Sequence, residues 1–198
     1  MSVLTALAEW PDRVRKIFVD TEMNEHGIFG IRCFKNGYQQ QIVVDSHIPT
    51  IDGLPAFTSS NENELWAIIL EKAWAKLHGS YLRIIGGMCH ETFRDLTGAP
   101  SYEYDAKRDD VWDIIKASNE ANYMLTAGIH ATDEEHREKF EHYGLMVEHA
   151  YCVIGCAEVV DSNGETAWII KIRNPWGNRE WKGDWSDESE LWTEEAKE

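Results

Sequence analysis

Residues 144–153, Gly-Leu-Met-Val-Glu-His-Ala-Tyr-Cys-Val, and residues 170–177, Ile-Lys-Ile-Arg-Asn-Pro-Trp-Gly, decide how this chain folds. His149 opens an apolar, strand-like run and Asn174 closes the next one. Asp161-Ser162-Asn163-Gly164 between them has turn chemistry, so the two runs are predicted to pair as neighbouring antiparallel strands. That pairing sets the start of one strand beside the end of the other, and so His149 beside Asn174. An Asn side-chain carbonyl next to an imidazole is the orienting half of a Cys-His-Asn site. The amide fixes the tautomer and leaves the other ring nitrogen to take a thiol proton. A His and an Asn this far apart are also common as unrelated structural residues, so the surrounding letters must decide.

Gly144-Leu145, His149-Ala150-Tyr151 and Val153 are followed by Ile172-Arg173-Asn174-Pro175-Trp176-Gly177, Glu180-Trp181, Gly183 and Trp185-Ser186-Asp187. This succession strongly resembles the second half of a calpain protease core, the core of papain-like, calcium-activated cysteine endopeptidases. The resemblance implies that His149 is the general base and Asn174 its orienter, with Trp176 packing near the active-site cleft. Protein substrates and calcium as cofactor are implied in the same way.

Composition sets bounds on the rest. A chain of 198 residues can bury a core as one or two small domains. Nineteen basic residues against 35 acidic ones, a net charge of -16, argue against nucleic acid as a partner. The acidity fits plain solubility or carboxylates awaiting a divalent cation. Cys33, Cys89, Cys152 and Cys156 show neither metal-ligand spacing nor a disulfide framework, and are expected as reduced thiols in the cytoplasm. No apolar run approaches about 18 residues, so no membrane span is expected. Residues 1 to 10 lack the character of a signal peptide.

Residues 1–10 read as the remainder of an apolar helix stopped near Pro11, with Val3, Leu4, Leu7 and Ala8 on one face. In calpains the nucleophilic Cys opens a long helix, in a Gly-Asp-Cys-Trp motif preceded by a Gln, and that helix ends in a stretch resembling Leu7-Ala8-Glu9. The superposition puts the Cys roughly three residues before Met1. The nucleophile and the oxyanion-hole Gln are thus absent from these residues, and a loose or poorly soluble segment is expected over residues 1–25. None of the four cysteines replaces the nucleophile well. Cys152 follows His149 by an odd number of strand positions and points to the opposite face, and Cys156 lies on the order of 20 Å along an extended strand. Cys33 reads as a core thiol. Cys89 is adjacent to His90, and sequence neighbours rarely face each other productively.

Residues 27–49 are predicted to form two or three short strands, with Lys35-Asn36-Gly37 as the turn. Val43 to Gly53 resembles the calpain Val-Asp-Asp-x-Leu-Pro-Thr-x-x-Gly segment, with Ser46 in place of the second Asp and His47 as a surface residue. Residues 64–77 form the clearest helix, with Leu65, Ile69, Ala73 and Leu77 joined by Trp66, Leu70 and Trp74, capped by Asn61 or Asn63. Gly86-Gly87 marks a subdomain boundary. Glu91 to Gly98 resembles a family turn, and residues 109–118 and 133–143 are short helices, the second mostly charged and solvated. His130, His136 and His142 are scattered, a weak basis for a zinc site.

By resemblance, Glu64 helps bind calcium in the first subdomain and Glu180 with Asp187 in the second. Calcium takes about six to eight oxygens, so these residues make incomplete sites, and locally solvated carboxylates remain the alternative. Trp176, Trp181, Trp185 and Trp192 sit among carboxylates, so packing suits them better than base stacking. The expected class is α/β (α+β), a papain-like core with residues 1–86 as a partial first, helical subdomain and 87–198 as a second, β-rich one. The active site is expected in the cleft between them. The expected function is a calpain-type calcium-dependent cysteine endopeptidase, inactive as these residues alone. The alternatives are a catalytically dead calpain-like regulatory domain and an acidic calcium-responsive binding domain. Oligomeric state is not legible in the sequence.

Overall fold

A computed structural model describes residues 2–22, 24–59 and 64–197. In chain order the elements are α1 (Ser2–Ala8), α2 (Pro11–Ile17), β1 (Ile28–Lys35), β2 (Tyr38–Asp45), the short strands β3 (Thr50–Ile51) and β4 (Leu54–Pro55), and α3 (Trp66–His78). A 3-10 turn at Tyr81–Ile84 leads into α4 (Cys89–Thr97), α5 (Val111–Glu120), β5 (Leu125–Ile129), α6 (Glu134–His142), β6 (His149–Val160), β7 (Thr166–Arg173) and α7 (Glu194–Lys197). Helices and antiparallel sheets are both present, as the expected α+β class requires. Val3 with residues 10–103 forms one compact unit, and Ser2, residues 4–9 and residues 104–198 form another.

The first unit is built on the β1–β2 hairpin. Asn36 and Gly37 both take left-handed backbone angles (φ 52° and 82°), the conformation a two-residue turn between twisted strands needs. The turn sets Lys35 opposite Tyr38 and Ile31 opposite Ile42. Ile31 and Cys33 then point into the core with no exposure, as the expected core thiol does. The α3 helix packs on this hairpin. It is buried well beyond a stripe, with Ala67, Ile68, Ile69, Leu70, Ala73 and Ala75 all inside, while Leu65 stands 45% exposed just ahead of it. Asn61 and Asn63 lie outside the described residues. Burial of Ile31, Ile69, Leu70 and Leu96, each at most 2% exposed, contributes roughly 1.5–3 kcal/mol per side chain.

Residues 91–98, expected as a turn, belong to the helix α4. Phe93 and Leu96 are buried, and the helix ends at Gly98 with φ 70°. A Cβ at Gly98 would lie 2.6 Å from the Phe34 ring, so only glycine lets α4 close on β1. Asp95, on the buried face of α4, bonds His78 Nε2 at 3.0 Å and Lys35 Nζ at 3.3 Å. These contacts tie residues beyond Gly86-Gly87 to the first unit. The two compact units meet in the sequence between Glu103 and Tyr104, and α1 apart from Val3 joins the second. The first unit is also as much hairpin as helix.

In the second unit the sheet order is β5-β6-β7, all antiparallel, with β6 central. Cys152 faces Arg173, and a register shift between Val153 and Gly155 marks a bulge. Asp161 accepts the Asn163 and Glu165 backbone N–H groups at 2.8 and 2.9 Å, closing the expected turn between β6 and β7. The β5 strand was not expected. Helices α1 and α2 are packed, with Leu4, Leu7, Val14 and Ile17 0–8% exposed, whereas residues 19–22 are exposed. Pro11 opens α2 instead of merely ending the preceding helix, since its missing N–H falls on a position without an intrahelical partner. Among the described residues no helix is long and apolar enough to cross a membrane.

Candidate active site

His149 is the first residue of β6, paired across the sheet with Ile129 at the end of β5. Asn174 is the residue immediately after β7. The antiparallel pairing of β6 with β7 brings the two together, and His149 Nε2 lies 3.1 Å from Asn174 Oδ1.

The hydrogen bonds around Asn174 fix its orientation. Its Oδ1 accepts the backbone N–H of Trp176 at 3.1 Å, and its Nδ2 donates to the carbonyl of Asn178. A backbone N–H can only donate and a carbonyl can only accept, so the amide cannot be turned over. Oδ1 therefore faces the imidazole, and Nε2 must carry the hydrogen it donates. Nδ1 is left with its lone pair, the state of a general base.

Rings complete the setting of His149. The Trp176 indole lies 4.7 Å from the imidazole centroid, tilted by 60°, and is 55% exposed. Tyr151, 3% exposed, meets the same ring edge-on at 4.9 Å, and its hydroxyl accepts the Met146 N–H at 2.8 Å. Half-buried in this way, His149 has its pKa lowered: desolvation disfavours the imidazolium, and the Asn174 hydrogen bond opposes this only in part. The imidazole is thus neutral at neutral pH and able to accept a proton.

The segment carrying Asn174 is held from behind. Gly144 has φ +84°, and a Cβ there would sit 1.9 Å from the Glu180 carbonyl oxygen. Lys182 N–H bonds the Tyr143 carbonyl at 2.9 Å, and Tyr143 packs on Trp181 at 5.4 Å. Just ahead of His149, Glu148 also has a left-handed backbone (φ 52°), and its carboxylate accepts His130 Nδ1 at 2.9 Å. Gly144 and Tyr151 were read from the sequence only as letters of the resemblance, without a role, and the Glu148–His130 pair was not singled out. Only the glycine ahead of the histidine strand carries a signal of its own, because no pattern of letters announces a left-handed glutamate.

All four cysteines are free thiols. Cys33 and Cys152 are pushed up to about 11, chiefly by burial, and Cys156 is also raised by burial. None of them hydrogen-bonds His149 among the described residues.

The carboxylates expected as calcium ligands, Glu64 in the first subdomain and Glu180 with Asp187 in the second, all lie at the surface. Glu64 is exposed and accepts the Trp66 indole N–H at 2.9 Å. Glu180 and Asp187 are exposed in the segment after β7. Among the described residues no group of three or more His, Cys, Asp or Glu side chains is placed to hold a metal ion. Among the described residues these carboxylates by themselves supply, in either subdomain, fewer oxygens than the about six to eight a calcium ion takes. The scattered His130, His136 and His142 form no zinc site among them either.

Residues 1–198 match the family described as calpain family cysteine protease. The chain belongs to the calpain family. It is 36% identical over 209 residues to the calpain-type cysteine protease ADL1 of Oryza sativa subsp. japonica, covering 100% of this chain and 9% of that protein. It is 36% identical over 192 residues to the human calpain-2 catalytic subunit, covering 96% of this chain and 27% of the subunit. With the mouse calpain-1 catalytic subunit the identity is 38% over 169 residues, 84% of this chain and 24% of the subunit. This calpain-family chain thus spans from under a tenth to about a quarter of the relatives it matches. The family is one of cysteine proteases, which are hydrolases acting on proteins.

Proposed function

We propose that this chain supplies the base and its orienter to a calpain-type, calcium-dependent cysteine endopeptidase, with His149 as the general base and Asn174 holding its tautomer. The 3.1 Å bond from His149 Nε2 to Asn174 Oδ1, with Nδ1 left as acceptor, carries this proposal. The nucleophile of this reading is the family's cysteine thiol, and none of the four described thiols hydrogen-bonds His149. The two compact units then correspond to the two lobes of a papain-like core.

The chemistry follows from the free nitrogen. His149 Nδ1 takes the thiol proton, and the thiolate sulfur bonds the peptide carbonyl carbon. The imidazolium returns that proton to the departing amine as the C–N bond breaks. Water then attacks the thioester, giving its proton to Nδ1, and the thiol is regenerated as the acid leaves. Calcium dependence and a cytoplasmic location belong to the family side of the proposal. Glu64, Glu180 and Asp187 each contribute at most one carboxylate to a cation, and no step above uses it.

The test is hydrolysis of a fluorogenic peptide by the natural full-length protein. His149→Ala is expected to lower kcat on the order of 10³-fold or more, and residues 1–198 alone are expected to show no turnover. Full activity in the His149 variant overturns the proposal. A second reading, a catalytically dead regulatory or calcium-responsive domain, is favoured by the burial of Cys33 and Cys152 and by the lack of a described thiol bonded to His149. Absence of hydrolysis by the full-length wild type decides for it.

A further inference from the structure

Helix α1 is fastened to the second unit at both ends, and each fastening falls on the chain neighbour of a site residue. At its start, Ser2 Oγ donates to the carbonyl of Ala150, the residue after His149. Just past its end, Glu9 pairs through its carboxylate with the guanidinium of Arg173, the residue before Asn174. Between the two, Leu4 and Leu7 are buried, at 8% and 0% exposure. A seven-residue helix has no stability of its own, so packing and these end contacts hold it in place.

The pair at Glu9 and Arg173 is not an ordinary surface contact. Their side chains are 30% and 49% exposed, and the register partner of Arg173 on β6 is Cys152, which is 1% exposed. The ion pair therefore stands at the rim of the core, where the backbone leaves β7 and turns into the segment that orients the Asn174 amide. That amide depends on backbone groups at Trp176 and Asn178, so a shift in how the chain leaves Arg173 moves both of its partners.

We propose that Glu9 and Arg173 are positioning residues for the His149–Asn174 pair, acting with Ser2 as a two-ended clasp that sets the histidine strand, the asparagine strand and α1 in one register. This rests on the proposed base-and-orienter role, and it names the residues that keep the orienter in place. The clasp touches neither reacting atom. It confines the backbone on which the Asn174 carbonyl is carried, and so keeps the imidazole in its Nε2–H form.

The experiment uses the 198-residue chain labelled with ¹⁵N-histidine, whose ring-nitrogen spectrum distinguishes the two tautomers. In the wild type, His149 is expected to be in the Nε2–H form. Glu9→Gln and Arg173→Met are each expected to raise the minor tautomer, or the exchange rate of Nε2–H, about two- to fivefold, the range of partly exposed ion pairs. The two changes combined are expected to do no more than either alone, because they remove one interaction. Glu9→Arg with Arg173→Glu, which restores an opposite-charge pair in reverse, is expected to bring the wild-type spectrum back. A merely structural pair would shift the unfolding midpoint and leave the tautomer unchanged, and that result overturns the proposal. So does failure of the charge exchange to restore the signal in a folded protein. Should Arg173→Met fail to fold, Glu9→Gln, which keeps the shape of an accessible side chain, supplies the same readout. A wild type without the Nε2–H preference sinks the base-and-orienter reading itself, and is thereby distinct from a failure of the clasp alone.

Discussion

His78 and His149 both hold Nε2 near a side-chain oxygen, 3.0 Å from Asp95 Oδ2 in the first unit and 3.1 Å from Asn174 Oδ1 in the second. The partner's charge separates them. Asp95 is 2% exposed and would be a buried anion without compensation, so it draws in Lys35 at 3.3 Å as well as the imidazole. The group clamps β1, α3 and α4 together. Asn174 carries no charge to favour an imidazolium, and burial shifts His149 towards the neutral form. A histidine beside a buried carboxylate becomes part of a structural hydrogen-bonded cluster, whereas one beside an oriented carboxamide keeps a defined free nitrogen.

The contrast breaks most visibly at Asp95. Asp95→Ala leaves Lys35 without its buried counter-charge and His78 without its hydrogen-bond partner, and is expected to cost about 3 kcal/mol, read as a lowered denaturant midpoint. Asn174→Ala is expected to cost about 1 kcal/mol or less by the same measurement, while abolishing the tautomer preference in the ring-nitrogen spectrum. Equal destabilisation by the two changes would erase the distinction. Between them lies Gly144→Ala, where a left-handed backbone and the Glu180 carbonyl 1.9 Å away both oppose a side chain. About 2–3 kcal/mol is expected, together with weakening of the His149–Asn174 bond, because the obstructed carbonyl belongs to the segment that follows Asn174.

Smaller effects come from pH. The folded protein holds the His149 pKa below its ordinary value of 6.5, so the unfolded chain binds this proton first as pH falls. The stability tied to neutral His149 is complete above that value and is lost on descending from it to the folded pKa. Denaturant midpoints from about pH 8 to about pH 5 should fall less steeply in His149→Gln than in the wild type. At the far acid end, Asp45 in the first unit is lowered from 3.8 to about 2, by its bond to Lys72 and then by the His47 backbone N–H. Its contribution is present above 3.8 and is lost as pH falls through about 2. NMR titration of the Asp45 carboxyl, with Lys72→Met returning the midpoint towards 3.8, checks this smallest effect.

The sequence made the second unit more legible than the first. His149, Asn174 and the turn between their strands are short-range features of one antiparallel pair, so strand pattern and turn chemistry sufficed to bring them together. Asn36-Gly37 and the long apolar helix α3 were equally plain. What escaped notice depends on distant partners. The apolar positions of α4 are few, and its helical state rests on packing against β1 and on Gly98 meeting Phe34. Leu-Thr-Ala-Gly-Ile of β5 has no alternation to mark it, and it pairs only because β6 offers an edge. Asp95 reads as an ordinary helix acid until the fold buries it. Flexible residues such as Gly86-Gly87 mark where a chain can bend, while contacts made far along the chain mark where a compact unit ends.

Trp176 leaves the imidazole of His149 covered by an indole that is itself more than half open to solvent. Imidazolium quenches indole emission more strongly than neutral imidazole does, so the difference between wild-type and Trp176→Phe fluorescence gives an optical record of when this ring gains its proton. The protein thus carries a built-in dye beside its base, readable without label, substrate or turnover.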